Sequence, residues 1–523
     1  MHKTLDKSLE FCGPPPEDIF LQEDCFMLKN WISHADYQQF IISNLSCFYK
    51  DFPKKIIELE SSISKLYCLD LDILSEILKP YYSNTGRPAT FQPEIFRSFS
   101  LMFFQKETSI TNWVKKLHAS NLFAACIGCT ENNVPSLGAH YDFISRLWLS
   151  DLSTDRMIQK KTYSYKKKPS KIKTPGKNKK LPNKKPGVVR RISDFFEAGR
   201  SFSLRAERLF QKIFSLVAVE PSFNLNLIEK DKLTVAGDGT CVHCKASYYG
   251  SKVCDCRKNG IYDCKCPRRL SDINANWGWD SHENRWFYGY TLYALSTYNK
   301  KYKVDLPIYL RFVEASRHDS VTGIVALAEF RELLPQFNIS NYVLDSANDN
   351  YPTYELCSKW NINPFIDLNS KNKGNSKYPT ALNINEKGVP VCVGGHEMVY
   401  NGFEKKRSRL KWRCPLVLKK VDSCSCCEQC SPSPYGRVIY TKPSWDLRLF
   451  TPVPRGSKQW KTIYKTRTCS ERINNRILND YKIHSLRIHG KKRYSFMTMI
   501  AGINIHLDAM LKVSGFSILN LLQ

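Results

Sequence analysis

"LTVAGDGTCV", residues 233–242, is the stretch from which the fold can be read. Its apolar, β-branched start reads as a strand, and Gly-Asp-Gly reads as the turn that ends it. Working outward, WFYGYTLYAL (286–295) and LPIYLRFVEA (306–315) read as second and third strands. Asp319-Ser320 looks like a helix start, with VTGIVALAEFRELL (321–334) as the helix. NYVLDS (341–346) is a fourth strand, YPTYELCSKW (351–360) a second helix and NPFIDLN (363–369) a fifth strand. The order β, β, β, α, β, α, β predicts an α/β domain, and no internal repeat is evident.

The chain has 523 residues, enough for about three domains on a length prior. Lys and Arg total 78 against 49 Asp and Glu, a formal net charge of +29. That excess predicts a polyanionic partner, and nucleic acid is the commonest. No segment argues for a membrane. The apolar stretch SFMTMIAGINIHLDAMLKV contains His506 and Asp508 and reads as a buried helix. The N-terminal MHKTLDKSLEF lacks the apolar run of a signal peptide, so a reducing cytosol is expected. Twenty cysteines there imply metal sites or buried thiols rather than disulfides.

Residues 1–155 read as a helical domain. Ser109 is placed to cap a helix burying Ile110, Trp113, Val114 and Leu117. Ser136 is placed to cap another, with Leu137, Tyr141, Ile144 and Leu147 inward. Cys126 and Cys129 form an isolated CxxC read as structural. Residues 156–193 are expected to be a disordered basic linker: Lys160 to Arg191 holds twelve Lys, two Arg and no acid. Such an arm suits phosphate contact along DNA. Residues 194–370 hold the first part of the α/β core, 371–460 an insertion, and 461–523 the closing helices.

Two windows concentrate cysteine. Cys241, Cys244, Cys254, Cys256, Cys264 and Cys266 lie in the first, within a Cys-rich insertion at 241–285. Cys392, His396, Cys414, Cys424, Cys426, Cys427 and Cys430 lie in the second. Thiolates at short spacing suit tetrahedral Zn²⁺. The spacing leaves open which ligands share an ion. Both segments read as too small to build a core without a metal staple.

Asp238 ends the first strand and Asp345 the fourth. If those strands are adjacent and parallel, the ends lie about 4.8 Å apart. Two carboxylates there repel unless a cation separates them. A third from a helix would complete an oxygen-rich site for two Mg²⁺ ions. In YKTRTCSERINNRILNDYK (464–482), Tyr464, Arg467 and Glu471 stand at helical spacing. Thr468-Cys-Ser-Glu471 also reads as a capping box, which would start the helix at Thr468.

Tyr464, Arg467 and Glu471 match the Tyr-x2-Arg-x3-Glu-x6-Lys signature of one group of bacterial insertion-sequence transposases, and the chain resembles that DDE family. The signature Lys is absent, because position 478 is Leu. GRP (86–88), WGWDS with FYGYTLYAL, and GKKRYSFMTMIAGINIHLDAML extend the likeness over most of residues 80–515. The resemblance implies an RNase H-like core with Asp238, Asp345 and Glu471 as a catalytic triad holding Mg²⁺ or Mn²⁺. It implies that water attacks a phosphodiester at a transposon end, freeing a 3′-OH that then attacks target DNA. Tyr464 and Arg467 would hold the terminal phosphates or flanking bases, with Lys482 standing in for the missing Lys. Double-stranded DNA as partner, a homodimer on DNA and a bacterial, nucleoid-associated cytoplasmic location follow from it. His318 reads as a cap or packing residue. Two other readings remain: an RNase H-like endonuclease without strand transfer, and a catalytically silent, zinc-stabilised DNA-binding protein.

Overall fold

The computed structural model describes residues 28–522 except 29–30, 84, 150–156, 159–185, 202–204, 371–378, 380–381 and 425–429. The expected strands and helices form in the expected order. They are β1 (Leu233–His243), β2 (Arg285–Asn299), β3 (Val304–Glu314), α1 (Asp319–Leu333), β4 (Ile339–Leu344), α2 (Tyr351–Lys359) and β5 (Asn363–Ile366). They build a mixed sheet of order β3-β2-β1-β4-β5, in which only β2 runs against the others. A short strand, Asn276–Asp280, pairs with the start of β2. β1 is central because its neighbours are β2, reached through a long excursion, and β4, reached through the α1 crossover.

Alternation along β1 gives it two faces. Gly237 and Gly239 face α1. A Cβ on Gly237 would lie 2.6 Å from the Tyr293 hydroxyl, so only glycine fits beneath the buried Tyr293 and Tyr342. Ala236 faces the other way and packs with Val343, Phe365, Trp460 and Cys469. That second face is covered by α3 (Lys458–Tyr464) and α4 (Thr468–Asn475). Farther along, α5 (Lys491–Ser514) packs on β3.

α5 is the buried helix that its sequence suggests. It is the one described helix long and apolar enough to cross a membrane, yet 78% of its apolar window is buried inside the protein. Its His506 and Asp508 are matched internally, while the buried Ser495 and Thr498 hydroxyls are not. His506 bonds the Ser222 hydroxyl at 2.6 Å and the Pro307 carbonyl at 2.7 Å, and Asp508 pairs with Lys65 and Arg476.

The N-terminal helices do not pack as a separate unit. Buried residues from Leu28 to Leu147 join those of the sheet and α5 in one continuous core. The boundary expected near 155 is therefore a break in sequence character, not in packing. Ser109 caps Ile110–His118 as expected, with the four expected residues buried. Ser136 caps Leu137–Arg146, but the buried face is His140, Phe143, Ile144 and Leu147. His140 turns inward because Ser98 and the Ser136 carbonyl satisfy both ring nitrogens. Cys126 and Cys129 are buried, and burial pushes the Cys126 thiol up to about 12.

The linker expected over 156–193 ends sooner. Residues 159–185, which hold its twelve lysines, lie outside the described residues, but Val188–Glu197 is a helix packed on α1 and α2. Ser193 donates to the Pro352 carbonyl at 3.1 Å, and Phe196 packs with Ile324 and Leu356.

Residues 371–460 also depart from expectation, because they contain their own core. An antiparallel sheet of β6 (Val399–Glu404), β7 (Arg409–Arg413) and β8 (Val438–Thr441) packs Leu410, Trp412 and Ile439 against Val389, Met398 and Phe450. Arg448 fastens this unit to the main sheet through a buried ion pair with Asp349 at 2.7 Å.

Candidate active site

Ala236 of β1 and Val343 of β4 are register partners in a parallel ladder. Two residues beyond each stands a carboxylate, Asp238 and Asp345. The strand adjacency that the sequence argument required is thus present. Asp345 follows the end of β4. Asp238 does not end its strand as the sequence suggested: β1 runs on to His243 beside β2. Asp238 stands just past its parallel pairing with β4, where the two strands part.

Each acid has its own support. Asn474 of α4 donates to Asp238 Oδ2 at 3.1 Å. Asp345 accepts from the Ala347 N–H at 3.2 Å and the Asn348 amide at 2.7 Å. Glu471 of α4 accepts from Arg467 at 2.5 Å.

A fourth acid, Asp319, joins them. A Cβ on Gly239 would fall 2.4 Å from Asp319 Oδ1, so the absence of a side chain there lets this carboxylate lie against β1. Asp319 makes no side-chain hydrogen bond or ion pair among the described residues. Sequence reasoning took it only as a helix start. An Asp in a first helical turn is so well explained by the helix dipole that nothing else marks it. His318, as expected, is a cap: its ring accepts from the Ser320 N–H at 3.3 Å.

The electrostatics follow. Burial, then the Asp319 and Asp345 carboxylates, push Asp238 up to about 7, against the opposing pull of Arg467. Burial and Asp345 push Asp319 up to about 6. Burial disfavours the Arg467 cation, but Glu471, Tyr464 and Asp238 more than offset this. The acids are near enough to raise the values of Asp238 and Asp319, but no three of the four bring carboxylate oxygens within 4.8 Å of one another. Hard divalent cations take carboxylate ligands.

Tyr464, Arg467 and Glu471 share one continuous helical run, since a short 3₁₀ turn at Lys465–Arg467 joins α3 to α4. The capping box does not form. Arg467 is itself helical, and the Thr468 hydroxyl donates back to the Lys465 carbonyl at 3.0 Å. Tyr464 stacks on Trp460 with ring centroids 4.4 Å apart. Burial raises its phenol, with Asp367 and Asp345 adding to the effect. Lys482 is not one turn farther along this face. The helix ends with a π turn at Arg476–Asp480, and Lys482 sits beyond it at φ 54. Leu478 is buried in the core.

The first cysteine window divides. Cys254, Cys256, Cys264 and Cys266 bring four sulfurs within 4.8 Å of one another, with two pairs at 3.5 Å. Zinc with about 2.3 Å bonds to sulfur sets tetrahedral ligands about 3.8 Å apart, so these four could bind a zinc ion. The Cys256 N–H and the Cys264 thiol bring Cys254 down to about 7, while the Cys266 and Cys254 thiols push Cys256 up to about 12. Cys241 and Cys244 stand outside this group. Cys244 donates to Asp272 at 3.2 Å, and Cys241 lies on β1. In the second window, Cys392, His396, Cys414, Cys424 and Cys430 do not form a three-ligand group among the described residues. Cys426 and Cys427 lie outside those residues.

No protein-family model matches this sequence, and a search of curated proteins finds no match.

Proposed function

We propose that this chain is a DNA transposase that requires divalent cations. The observation that carries the reading is the pair Asp238 and Asp345, each two residues past the last paired positions of adjacent parallel strands, with Glu471 on the helix covering that face. The sheet order β3-β2-β1-β4-β5, with β2 alone antiparallel, is the arrangement expected of an RNase H-like core. The formal net charge of +29 supports DNA as the partner.

Asp238, Asp345 and Glu471 would hold Mg²⁺ or Mn²⁺, with Asp319 beside them. Cations bound there would acidify water and neutralise charge at phosphorus. The protein groups supply position. Asn474 fixes one oxygen of Asp238 and leaves the other for a ligand. Arg467 orients Glu471, and with Tyr464 it flanks the acids where a DNA end would lie. Hydrolysis breaks a P–O bond at the transposon end and releases a 3′-OH. That hydroxyl then displaces a target 3′ oxygen, forming one phosphodiester as another breaks. Partners on this reading are transposon ends and target duplex, met by a homodimer in the cytoplasm of a bacterium.

Leu478 in the core and Lys482 beyond the helix favour a second reading, an RNase H-like endonuclease that cuts without joining. The test is incubation with candidate transposon ends, target DNA and Mg²⁺, with products read at nucleotide resolution. A transposase gives 3′-OH ends and joined strands. Cuts without joints mark the endonuclease. Binding without any cleavage overturns both in favour of a zinc-stabilised DNA-binding protein.

A further inference from the structure

Away from the four acids and the four thiols, a third group of ligand-type side chains converges. His243, Asp280 and Glu283 bring a ring nitrogen and two carboxylate oxygens within 4.8 Å of one another. His243 is the last residue of β1. Asp280 ends the short strand Asn276–Asp280, and Glu283 lies in the turn leading into β2. Gly289 of β2 pairs with His243 on one side and Asn276 on the other, which folds the hairpin back beside the end of β1.

The three side chains are held for a ligand rather than for one another. The His243 ring lies nearly parallel to Phe287, 5.0 Å between centroids at 18°, which restricts its rotation. Asp280 Oδ1 accepts from the His282 N–H at 2.9 Å and the Glu283 N–H at 3.2 Å. Its Oδ2 faces His243 Nε2 at 3.8 Å, too far for a hydrogen bond. Glu283 and Asp280 supply two negative charges, and Arg285, paired with Glu283, offsets only one.

A second imidazole completes the surroundings. His484 lies in the turn Ile483–Ser485, which Lys245 ties to this end of β1 by donating to the Ser485 carbonyl at 3.1 Å. That turn packs against β1. Nitrogen and carboxylate donors at partial exposure suit a borderline ion such as Zn²⁺, whose bonds of about 2.0–2.2 Å set ligands about 3.4 Å apart. His243 Nε2 and Asp280 Oδ2 already lie 3.8 Å apart, and all three ligand atoms lie within 4.8 Å.

We propose that His243, Asp280 and Glu283, with His484 adjacent, form a second transition-metal site of the zinc class, separate from the four thiols. Its role is mechanical. It pins the hairpin to the end of β1 and so fixes the cross-strand pair Trp279 and Trp286, which are 49% and 65% exposed.

The full-length protein, stripped of metal and titrated with Co²⁺ and then Zn²⁺, tests this. Sulfur ligation gives an intense near-ultraviolet band, whereas nitrogen and oxygen ligation gives only weaker visible bands. His243→Ala should lower the tightly bound metal by one equivalent and leave the thiolate band unchanged. Glu283→Gln, a milder change in an exposed turn, should weaken that same equivalent at least tenfold. Paired Cys254→Ser and Cys256→Ser should abolish the thiolate band and keep the visible one. Unchanged stoichiometry and affinity in both the His243 and Glu283 variants would overturn the proposal, since Glu283→Gln leaves the packed ring undisturbed.

Discussion

Asp238 and Asp345 stand level with each other on neighbouring strands, each two residues beyond the paired Ala236 and Val343. One strand comes from before α1 and the other from after it, so the crossover through that helix is what makes them neighbours. If the pair holds catalytic cations, Asp238→Ala or Asp345→Ala should abolish Mg²⁺-dependent DNA cleavage. The loss should exceed the roughly 10²–10³-fold cost of deleting one preorganised group elsewhere. DNA affinity should stay within a few fold, because the basic surface is untouched. Gel-shift and cleavage assays on the same preparations check this, and cleavage surviving in both variants would refute the assignment.

The same acids predict a pH signature without any metal. Asp238 is pushed from 3.8 to about 7, and Asp319 from 3.8 to about 6. Below pH 3.8 both states carry these protons, and the contribution to stability is fully present. As pH rises, the unfolded chain releases them first, so stability falls until the folded-state values are passed. Melting temperatures in EDTA between pH 4 and 7 should therefore fall less steeply for Asp238→Asn than for the parent protein. Parallel curves would mean that the cluster is less strained than its geometry implies.

Glu471→Gln should give a folded, DNA-binding and inactive protein. The Arg467–Glu471 pair is an i,i+4 pair with Glu471 half exposed, worth about 0.2–0.5 kcal/mol at most. The capping role that the local sequence suggests is not used. Circular dichroism and thermal melting should change little while cleavage is lost. Near-normal cleavage would remove Glu471 from the site and leave Asp319 as the third acid.

Removing Cys254 and Cys264 together should release one zinc and expose residues 244–275 to protease, with the main sheet intact. Within it, residues 247–269 bury only Cys264 and so have few other restraints, while Ala246, Leu270, Asp272 and Ala275 hold the two ends. Limited proteolysis with metal analysis provides the readout. Equal zinc content in the parent and double variant would count against the four-thiol site.

Arg448→Met should destabilise the protein by about 3–5 kcal/mol, because it leaves Asp349 charged and fully buried. A combined Arg448→Met, Asp349→Leu protein should regain much of that loss. Denaturant midpoints of the two variants decide the matter.

The main sheet was legible because its strands are short apolar runs bounded by turn residues, and its helices show caps and periodicity. Asp238, Asp345 and Glu471 were legible as candidates because the acids follow apolar strand runs and stand beside a helical motif, although β1 runs on past Asp238 to His243. Asp319 was not, since an acid at a helix start already has an ordinary explanation. His243 and Asp280 belong to different strands, and only the register through Gly289 brings them together. Residues 371–460 looked coreless because cysteines and prolines distract from Trp412, Leu410 and Phe450, whose contacts span distant parts of the segment. Lys482 was misplaced because helical spacing was extended past a π turn that the sequence does not announce.

The helix Lys491–Ser514 has a consequence in time as well as space. Its Asn504 amide reaches the Ser100 carbonyl, and just beyond it the Ile518 N–H meets the Ser64 hydroxyl. During synthesis, the N-terminal helices leave the ribosome long before this partner exists. Their apolar faces must wait, partly uncovered, until residues 491–518 have been made. A product lacking residues 491–518 would therefore not survive as a folded helical fragment. The core closes only when those residues are in place, and proteolysis would clear a product that stops short of them.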